Sequence, residues 1–203
     1  MYPFDVILFD VGGVLLTNGW DHAERAQVLQ RFHLDVAEFE ARHVKPYAAW
    51  EIGAISVESY LAESVFYEPR SFHSDEFFAA ICAQSKVLSD GALGILEELA
   101  AADKCLLGAL NNEARETNEY RFANFGLNRQ FKVSLSSCYL GFRKPDAEIY
   151  KRALDILGRP PERILFVDDR AGNVAAAQAQ GIKSIQFEGA EALRKELVGL
   201  EVL

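Results

Sequence analysis

Polar side chains follow three apolar runs of this sequence, at the point where each run ends. They are Asp10 after Val6–Phe9, Asn111 and Asn112 after Leu106–Leu110, and Asp168 and Asp169 after Ile164–Val167. A cation, Lys144, stands in the segment FRKPD just before a helical pattern. Carboxylate and amide oxygens suit Mg²⁺, which fills its other positions with water and substrate phosphate. Because neighbouring carboxylates repel one another without a cation, these residues predict a site for Mg²⁺ and a phosphorylated ligand.

The apolar runs themselves predict strands that are buried on both faces of a sheet. The predicted strands are Val6–Phe9, Leu106–Leu110, Ile164–Val167, Ser184–Phe187 and, with a weaker pattern, Lys132–Leu135. Helical patterns alternate with them, which favours an α/β fold with a parallel sheet and helices on both faces. In such a sheet ligands bind beyond the carboxyl ends of the strands, where the polar residues would meet.

Residues that favour helix ends mark the helices between these strands. The predicted helices start at Ser89-Asp90 and run through Leu99, extend from near Glu113 to Gly126, and span Asp146–Leu157 and Ala171–Gln180. Residues 17–88 break the alternation, because their apolar residues repeat only at helical spacing. The sequence therefore predicts a core of residues 1–16 and 89–203 and a helical cap of residues 17–88.

The composition excludes several classes of partner. The 203 residues carry a formal net charge of −9 without a run of Lys or Arg, so we expect no nucleic-acid partner. No apolar run approaches the roughly 20 residues of a membrane span, and the segment MYPFDVILFD lacks the features of a signal peptide. Cys82, Cys105 and Cys138 fit neither a disulfide framework nor zinc spacing. We expect a cytoplasmic protein with reduced thiols, as a monomer or homodimer.

The order of these motifs resembles the haloacid dehalogenase-like (HAD) hydrolase superfamily. FDVGGVLL resembles its first motif, LNNEA its second, RKPDAEIY its third and ILFVDDRAGNVAAAQAQGI its fourth. These motifs span residues 6 to about 188, and the helical insert falls where one branch of the family carries its cap. The resemblance implies a Rossmann-like core with a small helical cap and a Mg²⁺-dependent hydrolase.

The resemblance also implies the roles of the acidic residues. Asp10 would be the nucleophile that attacks phosphorus and forms an aspartyl-phosphate. Mg²⁺ would be held by Asp10, the backbone carbonyl of Gly12 and Asp169. Asp168 would tune or join that metal site.

The resemblance assigns the remaining polar residues to the phosphoryl group and its support. Lys144 would neutralise charge on the nucleophile and on the phosphoryl group. Asn111 would donate from its amide where the family usually has Ser or Thr, with the backbone N–H of Asn112 beside it. Asn173 would orient Asp169 or Lys144.

Gly12 departs from the family pattern, because a second aspartate is usual at this position. That aspartate usually protonates the leaving oxygen and then activates the water that cleaves the acyl-phosphate. A positioned acid–base of this kind contributes typically about 10²–10⁴-fold. Its absence predicts that Gly12→Asp raises turnover on alkyl phosphates, unless another group already does that work.

The missing aspartate leaves three interpretations open. The first is a phosphatase for a small phosphorylated metabolite, which either uses good leaving groups or takes an acid–base from cap residues His22, Glu51 or Asp21. The second is a haloacid dehalogenase-type C–X hydrolase, since halide leaves unprotonated. The third is a weakly active or non-catalytic module that binds metal and phosphate. We favour the first because the metal and phosphate residues are intact, and WEIGAIS resembles the cap of members that act on sugar phosphates.

Overall fold

A five-stranded, all-parallel sheet forms the centre of the fold. The structure is a computed structural model that describes residues 2–203, so Met1 of the predicted core lies outside the described residues. The strands are β1 (Val6–Phe9), β2 (Leu106–Ala109), β3 (Val133–Ser134), β4 (Ile164–Asp168) and β5 (Lys183–Gln186), in the order β3-β2-β1-β4-β5. The predicted parallel α/β architecture is therefore confirmed.

The strand bounds differ from the predicted ones by one or two residues. The second strand ends at Ala109 instead of Leu110, and the weak fifth run shrinks to two residues. The last strand starts at Lys183 and ends at Gln186, both of which are exposed. Because β5 lies at the sheet edge, its polar end residues pair with β4 without being buried, and an apolar pattern cannot reveal them.

The helices surround this sheet and fill the segment after β1. They are α1 (His22–Arg31), α2 (Val36–Glu51), α3 (Val57–Ser64), α4 (Ser74–Cys82), α5 (Leu93–Ala102), α6 (Arg115–Asn124), α7 (Leu127–Gln130), α8 (Ser137–Leu140), α9 (Ala147–Leu157), α10 (Ala171–Gln178) and α11 (Ala190–Gly199). A short 3₁₀ turn, Pro161–Arg163, precedes β4.

Alternate residues of each strand face opposite sides of the sheet. Ile7 and Phe9 pack in one hydrophobic cluster with residues of α5, α7 and α11. Val6 and Leu8 pack in another with residues of α9 and α10. The sheet is thus covered on both faces, which explains why its strands are apolar at nearly every position.

Several predicted helix ends are wrong by a few residues. Ser89 and Asp90 do not cap α5, because Asp90 instead accepts a hydrogen bond from the Ala190 backbone N at the start of α11. The helix predicted to end at Gly126 stops two residues earlier, and Gly126 adopts a positive φ of 67° between α6 and α7. The fourth-motif helix ends at Gln178, short of the predicted Gln180.

Helices α1 to α4 all lie within residues 17–88 and share a third hydrophobic cluster that is rich in aromatic side chains. Trp50 stacks on Tyr60 with ring centroids 4.4 Å apart, and Trp20 Nε1 donates to the Tyr60 hydroxyl at 2.9 Å. Ser56 is the N-cap of α3, and its side chain accepts from the Ser59 backbone N. This separate cluster agrees with the predicted cap, although the boundaries of core and cap stay predictions.

Two further expectations concern the cysteine thiols and membrane-spanning segments. Cys82, Cys105 and Cys138 are free, and burial raises the pKa of each thiol, to about 12, 11 and 12. Within residues 2–203, the helices are all too short or too polar to cross a membrane.

Candidate active site

Asp10 lies where β1 ends, between the ends of β2 and β4. Phe9 pairs with Ala109 on one side and with Val167 on the other, and the backbone N of Asp10 donates to the Val167 carbonyl at 2.8 Å. The carboxylate is 8% exposed, and its Oδ1 accepts from the Val11 backbone N at 2.7 Å. The nucleophile predicted from the sequence is therefore held at the carboxyl edge of the sheet.

Lys144 places its ammonium between two of the predicted carboxylates. Its Nζ lies 2.6 Å from Asp168 Oδ2 and 3.0 Å from Asp10 Oδ2. The Asn112 side chain holds the backbone of Lys144 twice, since Oδ1 accepts from Lys144 N and Nδ2 donates to Lys144 O, both at 2.8 Å. The sequence predicts a role only for the backbone N–H of Asn112. The two hydrogen bonds from its side chain to the lysine backbone were not predicted.

Asp168 is fully buried, and polar donors surround both of its oxygens. Oδ1 accepts from the Arg170 backbone N at 2.8 Å and from Asn173 Nδ2 at 2.9 Å, and Oδ2 accepts from Lys144 and Asn173. Asn173 contacts Asp168, which in turn binds the lysine, so it can orient Lys144 through that carboxylate. Its predicted role in orienting Asp169 or Lys144 stays a prediction.

The three carboxylates form a group that can hold a cation. Ligand oxygens of Asp10, Asp168 and Asp169 all lie within 4.8 Å of one another. Asp169 Oδ1 is buried and has no hydrogen-bond partner in the described part of the chain. An unpaired buried carboxylate oxygen is costly, so this donor set fits a hard divalent cation such as Mg²⁺.

Gly13 makes room for Asp169 in this group. Its φ is 74°, and a Cβ built on it would lie 2.4 Å from Asp169 Oδ2. A side chain at this position would displace the carboxylate, and a positive φ also favours glycine. The second glycine of FDVGGVLL therefore serves the acidic group directly.

Burial and mutual repulsion disturb the ionisation of these carboxyls. Burial raises the pKa of Asp10, the Lys144 ammonium lowers it, and the Asp168 charge raises it. Burial also raises the pKa of Asp169, and the charge of Asp168 adds to that rise. A bound cation favours the ionised form of such groups and would lower both pKa values.

Asn111 lies beside the site but points its amide into a buried polar network. Its Nδ2 donates to Asn118 Oδ1 at 3.0 Å, and its Oδ1 accepts from the Ser136 hydroxyl at 2.7 Å. The network ties the end of β2 to α6. Since one amide N–H remains for a ligand, donation to a phosphoryl group stays a prediction.

Asn18 and Arg121 occupy the space beside Gly12, and neither was predicted as a site residue. A Cβ built on Gly12 would lie 2.9 Å from Asn18 Oδ1 and 3.8 Å from Arg121 Nη1. Arg121, on α6, is 2% exposed, forms an ion pair with Glu113 and donates to the Thr17 carbonyl. A guanidinium thus lies close to where the family's second aspartate would project.

A cavity of about 420 Å³ covers this region and brings core and cap residues together. Its core wall includes Asp10, Gly12, Asn112, Arg121, Arg143 and Lys144, and its cap wall includes Trp20, Asp21, Arg25, Tyr47 and Glu51. The cavity therefore lies between the acidic group and the helical segment.

The structure separates the three predicted acid–base candidates of the cap. Glu51 lines the cavity, is 6% exposed, and accepts from Tyr47 at 3.1 Å and from Arg143 at 3.0 Å. Burial raises the pKa of Glu51, whereas the Arg143 guanidinium lowers it. Asp21 also lines the cavity but is the N-cap of α1, and the side chain of His22 is exposed.

Comparison with known proteins finds a family model and curated relatives. The model for haloacid dehalogenase-like hydrolases matches residues 4–181. Chloroplast flavin mononucleotide hydrolase 1 of Arabidopsis thaliana is 31% identical over 163 residues, which cover 80% of this chain and 65% of that protein. A sesquiterpene phosphatase of Aspergillus oryzae is 36% identical over 67 residues, covering 33% of this chain and 34% of that protein. The chain thus spans less than two thirds of the length of either relative.

A solved structure with a similar fold comes from Bacteroides thetaiotaomicron. It is a HAD family enzyme in complex with magnesium and inorganic phosphate, and it superposes with a TM-score of 0.77. The two sequences are 20% identical, over 92% of this chain and 95% of that one. At this identity the likeness concerns the fold.

Proposed function

The chain belongs to the haloacid dehalogenase-like hydrolase family, and from that premise we propose that it is a Mg²⁺-dependent phosphatase acting on a small phosphorylated metabolite. One observation carries the proposal. Ligand oxygens of Asp10, Asp168 and Asp169 lie within 4.8 Å of one another, Asp10 lines a cavity of about 420 Å³, and a buried oxygen of Asp169 has no protein partner in residues 2–203. The names of the two relatives, a flavin mononucleotide hydrolase and a phosphatase, support hydrolysis of phosphate esters.

The hydrogen bonds of the acidic group favour particular ligands for the cation. Both oxygens of Asp168 already accept hydrogen bonds, from Lys144, Asn173 and a backbone N–H. Asp10 and Asp169 have fewer partners, so we assign the cation to them and to the carbonyl of Gly12. When bound, the ion supplies positive charge that lowers the repulsion between the nucleophile and the phosphoryl oxygens.

The chain's own residues supply the nucleophile and its positioning. The Asp10 carboxylate attacks phosphorus, and the bond from phosphorus to the leaving oxygen breaks with the electron pair going to that oxygen. The Lys144 ammonium lies between Asp10 and Asp168 and faces the charge of the phosphoryl group. Asn112 fixes the lysine backbone, so the ammonium is in place before the substrate arrives.

The test is phosphate release from aryl, acyl, sugar and alkyl phosphates, with Mg²⁺ and with a chelator. We expect release that needs Mg²⁺ and that is lost in Asp10→Asn. Asp155→Asn is the matched control, since Asp155 is exposed on α9 away from the acidic group. Mg²⁺ should also raise the melting temperature of the wild-type protein, and this rise should shrink in Asp169→Asn.

The remaining outcomes distinguish the alternatives. Stabilisation by Mg²⁺ without phosphate release from any compound would indicate a non-catalytic module that binds metal. Halide release from 2-haloacids, independent of Mg²⁺, would indicate a C–X hydrolase. Phosphate release that survives Asp10→Asn would rule out the proposed nucleophile.

A further inference from the structure

We propose that the Arg121 guanidinium stabilises the leaving oxygen of the substrate, on the side of Asp10 where the family's second aspartate is absent. This inference rests on the proposed phosphatase function. It assigns a binding role in the reaction to a helix residue outside the four motifs that carry the family resemblance.

Arg121 packs against two glycines. A Cβ on Gly12 would lie 3.8 Å from Arg121 Nη1, and a Cβ on Gly19 would lie 3.8 Å from Arg121 Cζ, which are ordinary van der Waals distances. Gly12 is two positions from the nucleophile, and its φ lies outside the left-handed range, so its backbone alone does not require glycine. The guanidinium therefore lies next to the position that carries a carboxylate in the family pattern, and Arg121 borders the cavity.

The guanidinium keeps hydrogen-bond donors for a ligand. Nη1 donates to Glu113 and Nη2 donates to the Thr17 carbonyl, whereas Nε is buried without a partner in the described residues. Because a guanidinium carries five N–H donors, at least three remain. A buried donor without a partner is costly, which argues that a ligand completes its hydrogen bonding.

Glu113 holds the guanidinium in a fixed orientation. Its Oε2 accepts from Arg121, and its Oε1 accepts from the Thr117 hydroxyl, one turn along α6, at 2.6 Å. Glu113 itself is 8% exposed, and its backbone N donates to the Ser137 hydroxyl at 2.9 Å. A donor fixed in advance stabilises developing charge without having to reorganise during the reaction.

The chemistry of the guanidinium sets the substrate class. When the bond between phosphorus and the leaving oxygen breaks, the electron pair on that oxygen is stabilised by Arg121 N–H groups. A guanidinium is not deprotonated in proteins, so the released oxyanion takes its proton from water and leaves hydroxide. Stabilisation without protonation favours leaving groups that are already weak bases. We therefore infer that aryl, enol and acyl phosphates are better substrates than simple alkyl phosphates.

The experiment measures kcat and kcat/KM for a series of aryl phosphates whose phenols differ in pKa. In wild-type protein the rate should fall moderately as the phenol becomes less acidic. In Arg121→Met the fall should be steeper, with a loss of about 10²–10³-fold at the least acidic phenol, the size expected for removing one donor to an oxyanion. Arg121→Lys should give an intermediate slope because it keeps the charge but loses the planar donors.

Two controls separate this role from a structural one. Removing Arg121 leaves Glu113 buried without its partner, so Glu113→Gln/Arg121→Met removes both charges and serves as the better-folded variant. Its Mg²⁺ affinity, measured by calorimetry, should equal that of the wild-type protein, and its leaving-group slope should match that of Arg121→Met. Glu51→Gln tests for an acid supplied by the cap. The dependence of its rate on the pKa of the leaving phenol should equal that of the wild-type protein.

The outcomes are distinguishable from failure of the proposed function. Absence of phosphate release by the wild-type protein would overturn both proposals. Wild-type activity with the same slope in Arg121→Met would overturn the role of Arg121 alone. A steeper slope in Glu51→Gln instead would transfer the role to the cap carboxyl and would also overturn it.

Discussion

Two buried cations, Lys144 and Arg121, border the cavity that Asp10 lines, and their surroundings differ. Lys144 lies between Asp10 and Asp168, both of which belong to the acidic group. Arg121 is paired with Glu113, which lies outside that group. Both cationic side chains are nearly fully buried, at 3% and 2% exposure.

The two cations differ in the carboxylates that they contact. Lys144 contacts Asp10, which we assign to the cation, and Asp168, whose ligand oxygen belongs to the same acidic group. Arg121 has its own carboxylate, and its Nε has no partner in the described residues. In the proposed reaction the lysine side therefore serves phosphate and metal, and the arginine side serves the leaving group.

The largest expected effect is that of Lys144→Met. Removing the ammonium leaves two buried carboxylates unpaired, which should lower the free energy of unfolding by about 3–5 kcal/mol in the presence of a chelator. Mg²⁺ should restore more stability to this variant than it adds to the wild-type protein, because the ion would bind Asp10, one of the two carboxylates that lost the ammonium, within 4.8 Å of the other. Urea denaturation with and without Mg²⁺ measures both quantities.

Arg121→Met is the matched control for that prediction. It also breaks a buried ion pair, so its loss of stability in chelator should be of similar size, about 3–5 kcal/mol. Mg²⁺ should add no more stability to it than to the wild-type protein, since Glu113 is not part of the acidic group. An equal recovery by Mg²⁺ in both variants would contradict the division into two sides.

Gly13→Ala should have the next largest effect, and it acts on the metal side. The new Cβ would lie 2.4 Å from Asp169 Oδ2, so the carboxylate must move. We expect Mg²⁺ affinity, measured by calorimetry, to fall about 10–100-fold, as when the groups that support a metal ligand are disturbed. The left-handed backbone adds a cost of about 1–2 kcal/mol in stability.

Gly126→Ala measures the stability cost of the left-handed backbone alone. Gly126 also has a positive φ, of 67°, but no atom lies within 4 Å of a Cβ built on it. It should therefore lose about the same 1–2 kcal/mol without any change in Mg²⁺ affinity. If both variants kept the wild-type affinity, Gly13 would have no role in positioning Asp169.

The sheet and the residues at its edge were predictable because their signals are local. A strand buried on both faces must be apolar at successive positions, as in Val6–Phe9, and the residue after it then lies at the carboxyl edge. Asp10 and Asp168 were therefore placed correctly at neighbouring strand ends, and Lys144 joins them. Their proposed catalytic roles stay predictions.

Arg121 was not predictable, because its signal is not local. An arginine on a helix normally indicates a solvated face, and no spacing relates it to FDVGGVLL. Its burial follows from a contact with the Thr17 carbonyl, 104 positions away along the chain. The missing side chain of Gly12 was visible in the sequence, but the group that fills the space depends on how α6 packs against that loop.

Asn112→Ala should have a smaller effect, and it tests how Lys144 is positioned. The substitution removes two hydrogen bonds to the lysine backbone, which together are worth about 1–3 kcal/mol. We expect a lower kcat on aryl phosphates with unchanged Mg²⁺ affinity, because the lysine is displaced and the carboxylates are not.

The neighbouring Asn111→Ala separates positioning from fold stability. Asn111 bonds to Ser136 and Asn118 within a buried network, so its removal should lower stability by about 1–3 kcal/mol. A fall in kcat that exceeds that of Asn112→Ala would instead support the predicted donation from Asn111 to the phosphoryl group.

The smallest expected effect is that of Gly12→Asp, which restores the family's usual residue. From the sequence alone this change should raise turnover on alkyl phosphates. In the structure its Cβ would lie 2.9 Å from Asn18 Oδ1 and close to Arg121. A carboxylate beside a guanidinium has a lowered pKa, so it would stay ionised and could not protonate the leaving oxygen. We therefore expect no gain from Gly12→Asp alone.

Combining the change with Arg121→Met reverses this expectation. Without the guanidinium, the new carboxyl loses the charge that holds its pKa low, and it can act as an acid. Turnover of an alkyl phosphate by Gly12→Asp/Arg121→Met should then exceed that of either single variant by a few-fold, whereas its turnover of the most acidic aryl phosphates should stay close to that of Arg121→Met. A gain in Gly12→Asp alone would show that the aspartate and Arg121 can work together, and the two residues would then not be alternatives for one role.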